Sequence, residues 1–311
     1  MKDGVIMLRR SLILILCLLH SFSWAKNIQH HACERIVSLA PSITDTLDIL
    51  GLSPQIVGFT RYCELPKATL LLNKPQIIGG YLDVNLEKII AVDPDIIFNI
   101  ESSNSTALAL KKFNLNVVTF PQTNLKDIES SVLTIAGACG IPEKGKIVVE
   151  QFQQDLDHLK NRIAARVGQD KNTQQSGTNI KKRILILYGY DETKKGISGA
   201  YGAGPSFHAD LLEILGAQNA YEGKLPAPLL SQESILEINP DMIFIIKNNP
   251  VSGADIFELT YQKIKPDWGI LNQTTALKNN QVIEIIGRDS FMPSIRISHF
   301  AKILAELIYD L

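Results

Sequence analysis

One stretch of this sequence is written twice. Asn85–Ile100 reads NLEKIIAVDPDIIFNI, and Ser231–Ile246 reads SQESILEINPDMIFII. Glu87 matches Glu233, Ile89 matches Ile235, Pro94-Asp95 matches Pro240-Asp241, and Ile97-Phe98 matches Ile243-Phe244. Each copy parses as a cap residue (Asn85, Ser231), a short helix with an acid in its first turn, a proline stop and a buried apolar strand. Two helix-to-strand units this far apart are not a solenoid. They predict two similar α/β lobes with one cleft between them, which suits a binding protein or a two-domain enzyme.

The length of 311 residues is enough for two ordinary domains, and 45% hydrophobic with 20% charged residues is a globular composition. The formal net charge of -1 gives no basic footprint of the kind nucleic-acid binding needs. At the N-terminus Lys2, Arg9 and Arg10 precede the apolar run Leu12–Leu19, and Ser23-Trp24-Ala25 closes it. This predicts a secretory signal peptide over residues 1–25, with the mature protein in the periplasm. Leu16 stands where a lipoprotein signal before Cys17 needs a small residue, so a soluble exported monomer is expected rather than a lipid-anchored one.

The chain beyond the leader keeps Cys33, Cys63 and Cys139, an odd number, so at most one internal bridge forms. Cys33 lies just before the first strand, and Cys139 ends a helix returning to the same sheet edge. A Cys33–Cys139 bridge is the expectation; three thiols in small buried slots are the alternative.

Strands are predicted at Arg35–Leu39, Gln55–Phe59, Ile77-Ile78, Asp95–Ile100 and Asn116–Phe120. Helices lie between them, one capped by Ser42 with Asp45 close to a capping box, another running Leu125–Cys139 from Asn124. From Pro142 to Val167 apolar residues recur at helical spacing without interruption, predicting a rod that braces two lobes. A polar loop (168–180) follows. The second lobe repeats the alternation, with a helix around Asp255–Lys263, an irregular Trp268–Leu277 and a closing helix Ser294–Asp310. The expected fold is α/β: two doubly wound lobes with mainly parallel sheets (33–141 and 181–311) joined by one long interlobe helix (142–167).

Open parallel sheets bind ligands past the carboxyl ends of their strands. Arg61, Tyr62, Tyr81, Tyr188, Tyr190, Tyr201, Arg288 and Phe291 fall there, and Trp268 lies in the segment leading to the last strand. Such aromatics suit a large flat ligand, by stacking and by cation–π or charge contacts; local packing is the competing role for each. Gly199–Gly204 is G-x-x-G-x-G, the wrong order for a dinucleotide fingerprint. The histidines are scattered and no G-x-S-x-G elbow occurs, so neither a catalytic set, a bound metal nor a cofactor is predicted. Glu87 and Glu233 begin helices at the strand-end face, one acid per lobe near the cleft rim. Dipole complementation or common ancestry of the lobes would also put them there.

RIVSLAPSITDTLDILG (Arg35–Gly51), IVGFTRYCELP (Ile56–Pro66), IGGYLDVNLEKIIAVDPDIIF (Ile78–Phe98), GAGPSFHADLLEILGAQNAY (Gly202–Tyr221), SQESILEINPDMIF (Ser231–Phe244) and RDSFMPSIR (Arg288–Arg296) together resemble the periplasmic solute-binding proteins that serve importers of vitamin B12, haem and iron–siderophores. Tyr62-Cys63-x-x-Pro66 looks most like the B12-binding branch. Ile295 departs from the family's usual second proline before the closing arginine. The resemblance implies two lobes about one long helix with limited closure. It also implies that Glu87 and Glu233 dock onto the two permease subunits of an ABC importer with its ATPase subunits. It implies a bulky metal chelate as ligand, corrinoid first, then haem or ferric siderophore; Tyr81, Tyr201 or His208 could serve as a haem ligand. A free metal-ion receptor of similar fold and a secreted two-domain enzyme are the alternatives.

Overall fold

The computed structural model describes residues 33–80, 83–169, 181–190, 197, 199–248 and 259–311. The leader, His30 and His31, Tyr81, most of the polar loop and the first part of the Asp255–Lys263 segment lie outside the described residues.

The first sheet has the strand order β3-β2-β1-β4-β5, every pair parallel. Its strands are β1 (Ile36–Ser38), β2 (Ile56–Phe59), β3 (Gln76–Ile77), β4 (Ile96–Ile100) and β5 (Val117–Phe120). Around it lie α1 (Pro41–Ile49), α2 (Lys67–Asn73), α3 (Leu86–Ala91), α4 (Asn104–Lys111) and α5 (Leu125–Ala138). Order 3-2-1-4-5 is a doubly wound sheet, reversing direction between β1 and β4, where such sheets open a crevice. Asn124 and Asp127 form a reciprocal capping box at α5, as the sequence predicts.

The second sheet runs β11-β12-β10-β6-β8. It holds β6 (Arg183–Leu187), β8 (Gln218–Asn219), β10 (Met242–Lys247), β11 (Thr260–Lys263) and β12 (Val282–Ile286), parallel except for β11. A two-stranded antiparallel sheet of β7 (Ala200–Tyr201) and β9 (Leu229–Leu230) sits at the end of β6. Helices α7 (Phe207–Ile214), α8 (Gln232–Ile238), α9 (Thr275–Lys278) and α10 (Ile297–Tyr309) complete this half. The described end of the segment predicted as a helix is thus the antiparallel strand β11: Thr260 to Lys263 pair with Ile286 to Ile283, and Gln262 donates to Glu284. Edge pairing overrides the segment's helical spacing.

Between the sheets runs α6, a 28-residue helix, Pro142–Gln169, about 42 Å long at 1.5 Å per residue. It is the long helix the sequence predicts, and it touches both halves. Val149 packs into the first core with Leu47 and Ile135, whereas Phe152, Leu156, Leu159 and Ile163 pack into the second with Phe300 and Leu304. Near its start Gly145 passes so close to α5 that a methyl group there would lie 2.5 Å from the Ala136 Cβ. A disulfide joins Cys33 to Cys139, and Cys63 is a buried free thiol in the same apolar cluster.

The duplicated stretch explains itself locally. Asn85 and Ser231 each accept from the backbone N–H three residues on. Asp95 then accepts from the N–H of Arg35 at the entry to β1, and Asp241 accepts from the N–H of Arg183 at the entry to β6. Arg35 and Arg183 reach back to the carbonyls that end the repeat's helix, Val92 and Ile238. Pro-Asp is therefore the same brace used twice, tying the repeat's strand to the first strand of its half.

Candidate ligand-binding site

The carboxyl ends of the two sheets meet along one seam, and three contacts define it. Past β5, the Thr123 carbonyl accepts from the Phe207 N–H at 2.8 Å. The Asp210 carboxylate accepts from the Leu125 N–H at 2.9 Å, joining the N-termini of α7 and α5. The third contact is ionic. Arg288, just past β12, bonds Asp45 of α1 at 2.9 Å and Glu64 at 3.2 Å, and Arg296 bonds Asp45 at 2.8 Å and Asp48 at 3.1 Å.

Asp45 is the node of that cluster, and the sequence reading missed it by using it as a capping residue. Ala40 occupies the N-cap instead, and Ser42, already inside the helix, donates to Gln122 at 2.6 Å. The Asp45 side chain is 1% exposed. Burial pushes its carboxyl above the usual range, while Arg288 and Arg296 pull it down. On a helix whose residues Ser42–Leu47 are all buried an acid needs a cation, and that burial is seen only in the structure.

Arg288, expected as a cleft cation, is buried and bonded to two carboxylates. Trp268 is buried too. It is 3% exposed and packs behind the second sheet with Leu185, Ile243 and Leu271. Tyr190 lies against it edge-on, ring centres 5.4 Å apart, with Lys247 over its other side. A large indole at a loop position gains more by covering apolar sheet than by facing solvent.

The other described residues of the predicted set are less buried. Tyr62 is 61% exposed and Tyr201 47%. Arg61 is exposed and paired with Asp83 at 2.6 Å. Tyr188 and Phe291 are half-buried neighbours, 5.9 Å between ring centres. Behind them His208 is buried, its Nδ1 2.9 Å from the Tyr188 hydroxyl and its Nε2 2.7 Å from the Ser290 carbonyl. Burial holds His208 down at about 4 and pushes the Tyr188 phenol up to about 12.

The Gly-rich stretch cradles backbone, not phosphate. Gly202 and Gly204 donate to the carbonyls of Pro228 and Pro226, and a methyl group on Gly204 would lie 1.8 Å from the Leu225 carbonyl oxygen. Glu87 and Glu233 are both exposed in the first turns of α3 and α8, at the strand-end face of their halves. The Glu233 carboxyl is held below its usual range by its own backbone N–H and by the Ser231 hydroxyl.

Known proteins share this architecture. The vitamin B12-binding protein of Yersinia pestis (strain Pestoides F) is 23% identical over 217 residues, 69% of this chain and 70% of that protein. The periplasmic vitamin B12-binding protein of Vibrio cholerae superposes with a TM-score of 0.64 at 18% identity, covering 88% of this chain and 96% of that one. The periplasmic haem-binding protein of Vibrio cholerae superposes with 0.65 at 18% identity, covering 88% and 98%. The fold is therefore common to receptors of different chelates. The profile of the periplasmic binding proteins matches residues 36–287, and this chain belongs to that family.

Proposed function

We propose that this protein is the receptor of an ABC importer: it takes up a bulky metal chelate between its two halves outside the inner membrane and delivers it to the permease. What supports this reading is the seam itself, where two mainly parallel sheets meet through Thr123–Phe207, Leu125–Asp210 and the Arg288 and Arg296 ion pairs, together with exposed Tyr62 and Tyr201 and the half-buried pair Tyr188 and Phe291. Aromatic faces around a largely pre-formed opening suit a wide, flat ligand. Corrinoid ranks first, consistent with what the Yersinia relative is named for; haem and ferric siderophores follow. The histidines favour a chelate over a bare ion. His208 is engaged by Tyr188 and Ser290, His299 by Asp289, and His158 is exposed on the long helix.

Glu87 and Glu233 are the proposed docking acids, one per half, each forming a charge-assisted pair with a permease cation. Glutamine at both positions keeps a side-chain acceptor near the helix start and removes only the charge. The double variant Glu87→Gln/Glu233→Gln is expected to bind ligand normally and to abolish uptake. Transport at the wild-type rate would reject the docking role. Fluorescence-quenching titrations with cyanocobalamin, haemin and ferric siderophores test the ligand class, and saturation by a zinc or manganese salt alone would reject the chelate reading.

A further inference from the structure

Two independent features of the seam bear on which chelate periphery it accepts. The first is a proton count. The Ser290 carbonyl can only accept, so His208 Nε2, 2.7 Å away, carries the imidazole proton. Burial keeps the ring neutral, which leaves a lone pair on Nδ1. The Tyr188 hydroxyl, 2.9 Å away, therefore donates to Nδ1. Beside it the Ser206 hydroxyl donates to the Gly204 carbonyl at 3.0 Å. The Tyr188 proton is committed inward, and toward a ligand the phenol oxygen is an acceptor.

The second feature is a charge count. Arg61 is engaged by Asp83, Arg288 by Asp45 and Glu64, and Arg296 by Asp45 and Asp48. Among the described residues of the seam, four carboxylates thus face three guanidiniums. An anionic ligand group would have to take an arginine from a carboxylate already bonded to it, and at Tyr188 it would meet lone pairs.

We infer that the seam selects chelates whose periphery offers amide N–H donors and carries no negative charge, and disfavours the same macrocycle bearing carboxylates. Tyr188, oriented by His208, and the Asp45–Arg288–Glu64 set are the discriminating residues. The inference rests on the receptor reading above and fixes the chemistry of the ligand's edge rather than its ring.

Four probes separate the two claims: cobinamide (corrin, amides), cobyrinic acid (corrin, carboxylates), haemin (porphyrin, carboxylates) and haemin diamide (porphyrin, amides). Affinity is measured for each by fluorescence quenching of the purified protein. The expected result is tighter binding of the amide form, by about tenfold or more on whichever ring is bound, because an unpaired buried acceptor pair is costly. Tyr188→Phe, which keeps the ring beside Phe291, is expected to shrink that ratio. Glu64→Gln, at an exposed position, is expected to shrink it by loosening Arg288. An amide preference in the porphyrin pair with no binding of either corrin would retain the filter and reject corrinoid as first choice. Equal binding of both corrins would overturn the filter and leave the receptor reading intact. Tighter binding of either carboxylate form, or an unchanged ratio in both variants, would also overturn the filter. Binding none of the four would overturn both.

Discussion

Replacing Arg288 with methionine tests the ionic joint between the halves. The wild-type cluster sets Asp45, Asp48 and Glu64 against Arg288 and Arg296. Arg288→Met leaves three carboxylates and one guanidinium, so Asp45, 1% exposed, keeps Arg296 and the Ser294 hydroxyl but loses one of its two cations. Removing one member of a buried pair costs about 3–5 kcal/mol. Glu64 is 40% exposed and returns to water at little cost, so the low end, about 3 kcal/mol, is expected. Asp45→Asn is milder, about 1–2 kcal/mol, because Arg288 keeps Glu64 and Arg296 keeps Asp48. The double variant should lose less than the sum, since neither residue then strands the other. Urea unfolding followed by tryptophan fluorescence and by far-UV circular dichroism measures all three. The sequence holds two tryptophans, and Trp268, buried in the second half, reports on that half in protein prepared without residues 1–25, which include Trp24. Without Arg288 the Asp45 carboxyl loses an interaction that lowers its pKa, so the native variant holds a proton there at higher pH than the unfolded chain does. Its deficit should therefore shrink as the pH falls from neutral toward about 5. Wild-type stability in Arg288→Met, or a larger loss in Asp45→Asn, would refute the charge reasoning.

The other predictions concern single features. His208 is neutral when folded down to about pH 4, whereas unfolded it protonates near 6.5. Stability is thus fully present above 6.5 and falls as the pH drops toward 4, by roughly 3 kcal/mol from this group; a melting series against pH should show a smaller decline in His208→Gln. The Cys33–Cys139 bridge spans 106 residues, so Cys33→Ser/Cys139→Ser should lose about 2–5 kcal/mol in a urea titration. Gly204→Ala drives a methyl group into the Leu225 carbonyl and should cost about 2 kcal/mol or more, read as a lowered melting temperature.

Much of the fold was legible because it is written in local signals. The repeat announces two cap–helix–strand units, and Asn85, Ser231 and both Pro-Asp pairs act within their own half. The uninterrupted apolar stripe after Pro142 becomes the long helix for the same reason: spacing alone defines its buried face. Local reading failed where a partner strand decided. Thr260–Lys263, expected within a helix, completes the edge of a sheet whose other strands lie elsewhere in the sequence.

The site was less legible, and the reason is distance along the chain. Counting strand ends groups Tyr62, Tyr188, Tyr201 and Phe291, and in the structure Tyr62 and Tyr201 are exposed while Tyr188 and Phe291 are half-buried neighbours. It could not say which loop residues turn inward. Trp268 and Arg288 sit in loops of the same kind, but one fills apolar space behind the sheet and the other answers an acid 243 residues away. A buried charge exists only where its complement is supplied, so the position of Asp45 and that of Arg288 explain each other and neither can be read by itself. The same holds for His208, whose tautomer follows from the Ser290 carbonyl 82 residues on and in turn dictates which way the Tyr188 proton points. In this protein the duplicated sequence builds two alike halves, and the unduplicated pairings between them give the seam its chemical character.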